Sequence, residues 1–467
     1  MLDYGLKIGL VPIRRWIADG ATRRGIFEPG KAVENKEKIL PYIKTNFSDG
    51  QTEFVDLEWL NEEGLLIEER DCARVQEEFT RQGVDAIFII NCNFGNEEAA
   101  GQIAKRMNLP TLLWGPQDTV FEADGTRYTD RQCGLFAISK QLQRLGVAFS
   151  YIENCRIEDP CFAEGLRRFL SVACMVKNFK KLRLAQVGTR LNPFKSVMAN
   201  ELELTEKFGM NLSTVNMTVT TEILNRLYME KAEQLEEDAK KVREMYDVGE
   251  LEQETLKRML TFVYAYLEIF EKTNADVLLS ECWTCMPQAF GANPCLAMSL
   301  LYDMGYIVTC ESDLHGAVSQ ALLACATRGK EKPLFGEFTT RHPENPNAEL
   351  LWHCGPFPYS VKKEGEKARL FNTKPSFRAK DGVYTIARFQ GNRGKYTLFG
   401  GAFRTVDGPH TFGTYLWAEF KDLPKLERKL IEGPYIHHMS EIYGDYTETL
   451  REFCRYIPEL DFDPCEN

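Results

Sequence analysis

The amino-acid sequence predicts an α/β fold with two parallel-sheet parts, followed by an antiparallel, β-barrel-like part. The chain has 467 residues, which at roughly 150 residues per domain suggests about three domains. In two separate stretches, continuous apolar runs of strand length alternate with amphipathic helices, which is typical of parallel sheets covered on both faces. After about residue 330 the chain changes to Pro, Gly, aromatic residues and short alternating runs.

The first stretch contains a strand at 6–11 and a clearer strand at 85–90. The second of these ends at the polar turn 91–96. A helix over 97–107 and a strand over 110–114 follow. This alternation of buried strand and helix predicts a parallel sheet.

The second stretch begins with a strand at 182–187 that ends in the loop 188–194. The segment 221–270 is charged and favours helix; its interspersed acids and bases predict a solvated helix pair rather than a nucleic-acid surface. Two further buried strands are predicted at 276–279 and 306–309, with a helix between them.

The last third contains short runs in which apolar and polar residues alternate, at 384–389, 396–403 and 414–420. Alternation of this kind is typical of antiparallel strands. Several such runs, separated by turn residues, favour a barrel-like arrangement.

The charge and composition of the chain limit its partners. The formal charge is −11, with 44% hydrophobic and 27% charged residues, so the chain is globular and lacks an overall field that attracts phosphate or anionic lipid. We therefore expect neither nucleic acid nor membrane as a partner.

No leader-like segment or spanning run of about 18 apolar residues is seen, and the 14 cysteines form no spaced framework. These features predict a cytoplasmic protein with reduced thiols.

All six histidines lie in the last third of the chain, from His315 to His438. Histidine is the commonest metal ligand among the side chains and a frequent acid–base group. A site that uses imidazole must therefore draw on this third.

Carboxylates stand near these histidines. Glu311 ends the strand predicted at 306–309, and ligands bind at the carboxyl ends of such strands. Asp313, two residues later, can instead cap the following helix. Glu337 lies between apolar neighbours, and His353 ends a strand-like run.

A further pair, His437 and His438, lies at the end of another apolar run. Two carboxylates and one or two imidazoles, each at the end of a rigid element, suit Mn²⁺, with Mg²⁺, Co²⁺, Fe²⁺ or Zn²⁺ as competitors. From spacing alone, unrelated core and surface roles for these residues stay an alternative.

The order of the motifs around these residues is specific. They are Cys-Glu-Ser-Asp-Leu-His-Gly-Ala at 310–317, Leu-Phe-Gly-Glu at 334–337, Leu-Trp-His-Cys-Gly at 351–355 and Gly-Pro-Tyr-Ile-His-His at 433–438. Upstream stand Trp114-Gly-Pro116, Gln132-Cys-Gly134-Leu135 and Val187-Gly-Thr-Arg190. Together they resemble the L-fucose/L-arabinose isomerase family, in particular the L-fucose isomerase-like proteins, over most of the chain.

The resemblance implies two stacked parallel-sheet α/β domains and a C-terminal antiparallel β-barrel-like domain. We place these domains at 1–175, 176–350 and 351–467. It also implies a divalent metal, most often Mn²⁺, between the second and third domains.

The metal ligands carried over by position are Glu311, Glu337 and His438, with His353 as a further candidate. His437 is the nearest rival of His438 and a candidate for substrate binding.

The activity implied by the resemblance is the interconversion of an aldose and its ketose through an enediol. In this reaction a divalent ion stabilises charge on the sugar oxygens, and a carboxylate on each side of the sugar edge moves protons. Glu311 and Glu337 are the catalytic candidates. Either of them can act on carbon, and a hydride shift would need similar residues.

The substrate is expected to be a small sugar, either a deoxy sugar or an anionic, for example sulfonated, sugar. Aromatic faces can stack on sugar C–H groups, and Arg and amide side chains can bind hydroxyls or an anionic group. The candidates for these contacts are Trp114, Gln117, Arg190, Asn192, Gln390 and Arg393. A structural role is the alternative for each of them.

Two other functions remain open: a metal-dependent lyase or hydrolase that uses the same acids, and a sugar-binding relative without turnover. The family resemblance also implies a closed homo-oligomer, often a hexamer. In such an assembly the first domain of a neighbouring subunit completes the pocket, and Trp114 and Gln117 would reach the site across an interface.

One stretch departs from the expected pattern. Glu281 stands in Ser-Glu-Cys-Trp-Thr-Cys, where relatives often carry a Lys before Cys-Trp. The same stretch contains an isolated Cys-x-x-Cys pair, Cys282 and Cys285, for which burial as ordinary thiols is the main alternative to a zinc or disulfide role.

Overall fold

The computed structural model describes residues 1–17 and 27–466. The chain divides into two compact units. The N-terminal unit comprises Tyr4–Lys177 with Arg455–Ile457. The C-terminal unit comprises Met1–Asp3, Asn178–Cys454 and the residues from Pro458 onward. The three domain boundaries expected from the sequence stay a prediction.

The N-terminal unit is built on a parallel sheet. Its strands are β1 (Leu6–Ile13), β2 (Thr52–Val55), β3 (Ala86–Asn91), β4 (Thr111–Trp114) and β5 (Ser150–Tyr151). Its helices are α1 (Pro29–Phe47), α2 (Cys72–Gln82), α3 (Glu97–Met107), α4 (Arg131–Arg144) and α5 (Pro160–Phe179). Among the described residues the strand order is β2-β1-β3-β4-β5.

Burial explains why these segments form this sheet. All six residues of β3 are buried, as expected for a central strand covered on both faces. Helix α3 follows at once, and the side chain of its N-cap residue Asn96 accepts hydrogen bonds from the backbone N–H groups of Glu98 and Ala99, which satisfies two unpaired donors. The strands predicted at 6–11, 85–90 and 110–114 are confirmed.

The C-terminal unit opens with a second parallel sheet. Its strands are β6 (Arg183–Val187), β7 (Asn211–Val215), β8 (Val277–Ser280) and β9 (Ile307–Cys310). Its helices are α6 (Glu201–Phe208), α7 (Met217–Glu230), α8 (Ala232–Met245), α9 (Gln253–Thr273), α10 (Cys285–Phe290), α11 (Cys295–Asp303) and α12 (Leu314–Ala326). The order among these strands is β7-β6-β8-β9.

The expectation of a solvated helix pair over 221–270 is wrong, because this part of the chain forms α7, α8 and α9. The third helix is not a solvated element. It buries a long apolar face that includes Leu256, Phe262 and Ile269. Its charged residues concealed this periodicity.

The last part of the unit is an antiparallel barrel. Its strands are β10 (Leu334–Arg341), β11 (Ala348–His353), β12 (Arg369–Phe371), β13 (Lys374–Arg378), β14 (Val383–Asn392), β15 (Lys395–Val406), β16 (Thr414–Glu419), β17 (His438–Tyr443) and β18 (Leu460–Pro464), with helices α13 (Leu423–Glu432) and α14 (Thr447–Cys454). In the described chain, six strands close a ring in the order β16-β11-β10-β17-β14-β15, and β15 pairs with β16 again. The predicted barrel-like region is confirmed.

Strand register and one helix bring the candidate residues together. Glu337 of β10 lies directly opposite His438 of β17, and His353 ends β11, the other neighbour of β10. Helix α12 packs against β9, β14 and β17. The tip of β9, where Glu311 follows, is thereby held against the barrel.

Among the described residues, no helix combines the length and the apolar character that crossing a membrane requires.

Candidate functional site

Glu311 lies in a strained turn between β9 and α12. Its backbone φ is 63° and that of Ser312 is 53°, a left-handed conformation that costs roughly 1–3 kcal/mol at a non-glycine residue and clusters at functional sites. The turn is tied to the sheet, because the Ser312 N–H donates to the Ser280 carbonyl over 3.0 Å. The Trp283 indole Nε1–H donates to Oε1 of Glu311 over 2.9 Å. The carboxylate is therefore buried and fixed in direction.

Asp313 caps α12 and also binds two residues of the barrel. Its Oδ1 accepts from the Gly316 N–H over 3.0 Å, so the predicted cap is confirmed. Arg388 donates to Oδ2 over 2.5 Å and to Oδ1 over 3.1 Å, and Nδ1 of His438 lies 2.9 Å from Oδ2. Burial alone would raise the pKa of this carboxyl, but Arg388 and His438 outweigh burial and hold the pKa below its ordinary value.

His438 is fully buried, and its two ring nitrogens have different neighbours. Because an ionised Asp313 can only accept, Nδ1 carries the proton of the neutral ring and Nε2 keeps its lone pair. Nε2 lies 3.0 Å from Oε2 of Glu311 and 3.7 Å from Oε1 of Glu337. The arrangement matches the carboxylate–histidine pairs that orient metal ligands.

Glu337 and His353 face the same point from the barrel. Oε1 of Glu337 lies 3.5 Å from Nε2 of His353. Burial raises the pKa of Glu337 above its ordinary value, although the two imidazoles oppose this. One ligand atom each of Glu311, Glu337 and His353 lies within 4.8 Å of the others, and so do atoms of Glu337, His437 and His438.

The donor set fits a divalent cation. Oε2 of Glu311, Nε2 of His353 and Nε2 of His438 are buried and have no hydrogen-bond partner among the described residues. Unpaired buried polar atoms cost roughly 1–3 kcal/mol each. Oε1 of Glu337 lies 3.5 Å from the nitrogen of His353 and 3.7 Å from that of His438, so a cation beside Glu337 could serve these atoms. Carboxylate oxygens with imidazole nitrogens suit Mn²⁺ and its neighbours in the first transition series.

A loop from the second sheet covers this centre. Phe194 packs edge-on against Trp283, His437 and His438, with ring centroids 6.0, 6.2 and 5.9 Å apart. Arg190, in the same loop, donates from Nη1 to the carbonyls of Leu191 and Phe194 over 2.7 and 2.9 Å. These bonds hold Arg190 to the backbone of its own loop, and Asn192 in the same loop is exposed. Substrate contact by both residues stays a prediction.

The other predicted sugar contacts are more scattered. Gln390 is buried, and its Oε1 accepts from Nε of Arg388 over 3.1 Å, so it supports the arginine that holds Asp313. Arg393 lies in the exposed turn between β14 and β15. In the N-terminal unit, Gln117 lines a cavity of about 470 Å³, whereas Trp114 is fully buried, with its ring 4.5 Å from that of Phe162. Substrate contact by these four residues stays a prediction.

Three residues of the site were missed in the sequence: Trp283, Arg388 and Phe194. The sequence did contain an indication for Arg388, because an arginine within the apolar run 384–389 needs a buried partner. Glu281 has a local role, because its Oε2 accepts from the backbone N–H of Thr189 over 2.8 Å and steadies the loop that carries Arg190.

These elements define an α/β-and-barrel protein with a carboxylate–imidazole centre suited to a cation. A family model described as Fucose/sulfoquinovose isomerase, N-terminal domain, matches residues 20–180. A sulfoquinovose isomerase of Alkalicoccus urumqiensis is 24% identical over 384 residues, which cover 79% of this chain and 84% of that protein.

Two further relatives agree. A sulfoquinovose isomerase of Clostridium sp. (strain MSTE9) is 25% identical over 383 residues, 78% of this chain and 83% of that protein. One of Priestia aryabhattai is 23% identical over 396 residues, with 80% and 84% covered. The match over residues 20–180 and these relatives agree with the resemblance to the L-fucose isomerase-like proteins that the motifs indicated.

Proposed function

We propose that the protein is a metal-dependent aldose–ketose isomerase that acts on a sulfonated sugar. The observation that supports this most directly is that Glu311, Glu337 and His353 offer ligand atoms within 4.8 Å of one another, with His438 3.0 Å from Glu311 and 3.7 Å from Glu337. One atom each of Glu311, His353 and His438 is buried and has no hydrogen-bond partner among the described residues. The relatives are sulfoquinovose isomerases, which supports both the reaction and the substrate class.

Glu311, Glu337 and His438 would hold the metal, with His353 as the fourth candidate ligand and Mn²⁺ as the expected ion. A bound divalent cation would supply Lewis acidity at two adjacent sugar oxygens. The chain supplies the geometry: Trp283 fixes Glu311, and Asp313 fixes His438.

The two glutamates move the protons. Isomerisation transfers one proton between C2 and C1 and another between the two oxygens, so one carboxylate works on carbon and the other on a hydroxyl. Glu337 suits a proton carrier, since burial raises its pKa towards the working pH. Phe194 covers the centre and excludes water, which strengthens every charge interaction there.

Arg190 is the proposed contact for the sulfonate. A guanidinium can donate two parallel N–H bonds to two oxygens of a tetrahedral anion such as a sulfonate, and the loop of Arg190 reaches the centre through Phe194. In an Arg190→Gln variant we expect a raised KM for the sulfonated sugar and an unchanged KM for a neutral aldose. An equal change for both sugars would contradict the role.

We also propose a homo-oligomer in which the N-terminal part of a neighbouring copy contributes Gln117. The polar cavity that Gln117 lines supports this. Mixing inactive Gln117→Ala and Glu337→Gln proteins should restore part of the activity if the site is shared, and no recovery would contradict it.

The activity is tested by NMR exchange of the C2 proton in D₂O with sulfonated and neutral aldoses. We expect exchange with Mn²⁺ present, loss of exchange after chelation, and recovery when Mn²⁺ is returned. Glu337→Gln should abolish exchange, while the matched control Glu344→Gln, on an exposed side chain, should keep it. Release of a substrate fragment instead of a ketose of equal mass would favour a lyase.

A further inference from the structure

A group of buried thiols lies on the other side of His353 from the carboxylates. Cys310 immediately precedes Glu311, and Cys354 immediately follows His353. Sγ of Cys310 lies 3.0 Å from Sγ of Cys282. This thiol cluster is extended by Cys295, whose Sγ lies 3.9 Å from that of Cys354.

Three groups of the cluster are arranged as metal donors. Sγ of Cys310, Sγ of Cys354 and a ring nitrogen of His353 all lie within 4.8 Å of one another. The nitrogen on this side is Nδ1, 3.4 Å from Sγ of Cys354. Donor atoms of a tetrahedral zinc site lie roughly 3.5–3.8 Å apart, given bonds of about 2.3 Å to sulfur and 2.0 Å to nitrogen. The 3.4 Å between Nδ1 of His353 and Sγ of Cys354 is close to this range, and the other two spacings lie within 4.8 Å.

The hydrogen bonding of His353 leaves Nδ1 without a proton. Nδ1 accepts a hydrogen bond from the backbone N–H of Cys354 over 2.9 Å, so the proton of the neutral ring is on Nε2, and an ion bound at Nδ1 would displace that N–H. A ligating histidine must offer such a nitrogen.

We propose that Cys310, Cys354 and Nδ1 of His353, with Cys282 next to them, form a second cation site that takes a thiophilic ion such as Zn²⁺. Thiolate sulfur selects soft cations, whereas the carboxylates around Glu311 select harder ones. Binding would release the protons of the ligating thiols.

The two centres share one imidazole ring. Nε2 of His353 faces Glu337, while Nδ1 faces the thiol cluster. Because a neutral imidazole has one unprotonated nitrogen, His353 is assigned to the thiol cluster, and Glu311, Glu337 and His438 are left to hold the ion of the carboxylate centre.

Ordinary packing does not account for the cluster. A single buried thiol behaves as a small apolar side chain, but here four thiols contact one another beside an unprotonated nitrogen. A disulfide does not account for it either, since all four are free cysteines and 3.0 Å exceeds a sulfur–sulfur bond of about 2.05 Å.

The site is tested on the reduced, metal-stripped full chain with Cd²⁺ as the probe and excess Mn²⁺ present to fill the carboxylate centre. We expect one Cd²⁺ per chain by elemental analysis, with the ultraviolet absorption of thiolate-to-cadmium charge transfer. Cys310→Ser and Cys354→Ser should each weaken Cd²⁺ binding at least about tenfold. Cys133→Ser, which changes an exposed thiol, should leave binding unchanged.

Cd²⁺ binding without thiolate absorption, or equal affinity in the Cys310→Ser and Cys354→Ser variants, would overturn the proposal. Circular dichroism of each variant identifies a loss that comes from unfolding. If Cys310→Ser does not fold, the Cd²⁺ affinity of Cys354→Ser decides the test, because Cys354 is half-buried and its replacement disturbs less packing.

Discussion

Nδ1 of His438 lies 2.9 Å from Oδ2 of Asp313, although the two residues are 125 positions apart in the sequence. Arg388 binds the same carboxylate and keeps it ionised, so Asp313 accepts a hydrogen bond from Nδ1–H of His438, and Nε2 faces Glu311 without a proton. Nδ1 of His353, in contrast, accepts a backbone N–H. The two candidate imidazoles are therefore held in opposite tautomers, and His438 is the one preset as a ligand.

The first prediction concerns Asp313→Asn. Asparagine can still cap α12, but it leaves the Arg388 charge without its carboxylate and does not fix the His438 proton. We expect a 10–100-fold loss of Mn²⁺ affinity and a loss of about 3–5 kcal/mol in the free energy of unfolding, measured by Mn²⁺ titration and urea unfolding. Asp422→Asn, at the exposed cap of α13, is the matched control and should change neither quantity appreciably. Unchanged Mn²⁺ affinity in Asp313→Asn would remove Asp313 from the site.

A second prediction concerns the indole of Trp283. Trp283→Phe removes the hydrogen bond to Oε1 of Glu311 but keeps an aromatic ring beside Phe194. A hydrogen bond to a charged group contributes roughly 1.5–3 kcal/mol, so we expect kcat for C2 proton exchange to fall at least about tenfold. Trp59→Phe is a close control, because both indoles are 40% exposed and both donate one hydrogen bond. Equal activities of the two variants would argue against a role for Trp283.

The third prediction concerns pH and Glu349 of β11. Burial raises the pKa of this carboxyl to about 7; Arg341 opposes the shift and Glu427 adds to it. Because this pKa is raised in the folded state, the contribution of Glu349 to stability is fully present below about pH 4.5. The contribution is lost as the pH rises through 7. Between pH 5 and 8 the wild type should therefore lose about 1–3 kcal/mol relative to Glu349→Gln, measured by urea unfolding. The exposed Glu364→Gln should follow the wild type; a constant difference between wild type and Glu349→Gln would mean that the pKa is ordinary.

The sheets could be predicted from the sequence because their information is local. The apolar run at 85–90 specifies a central strand by itself, and Glu311 could be placed at a strand tip by counting from 306–309. Alternating runs likewise indicated antiparallel strands in the last third.

Other features depend on pairs that are distant in the chain. The pairing of β15 with β16 closes the barrel, and no local pattern encodes closure. Arg388 finds Asp313 at a separation of 75 residues, so its role was invisible until both were placed. The orientation of each imidazole depends on what faces Nδ1, which residue types alone do not reveal.

The last prediction concerns Gly134, within the Gln-Cys-Gly-Leu motif that the sequence singled out in α4. A Cβ at this position would overlap the backbone carbonyl of Phe94, and neither backbone can move without disturbing the buried strand β3. We expect Gly134→Ala to lower the free energy of unfolding by about 3 kcal/mol. In Gly30→Ala, in α1 of the same unit, the new Cβ meets only a side-chain oxygen of Glu28 at 3.9 Å, an ordinary contact, so this variant should raise the free energy of unfolding by about 0.5–1 kcal/mol through helix propensity. Urea unfolding of the two variants measures the loss of stability in one and the gain in the other. Equal midpoints would mean that α4 does not approach Phe94 as closely as described.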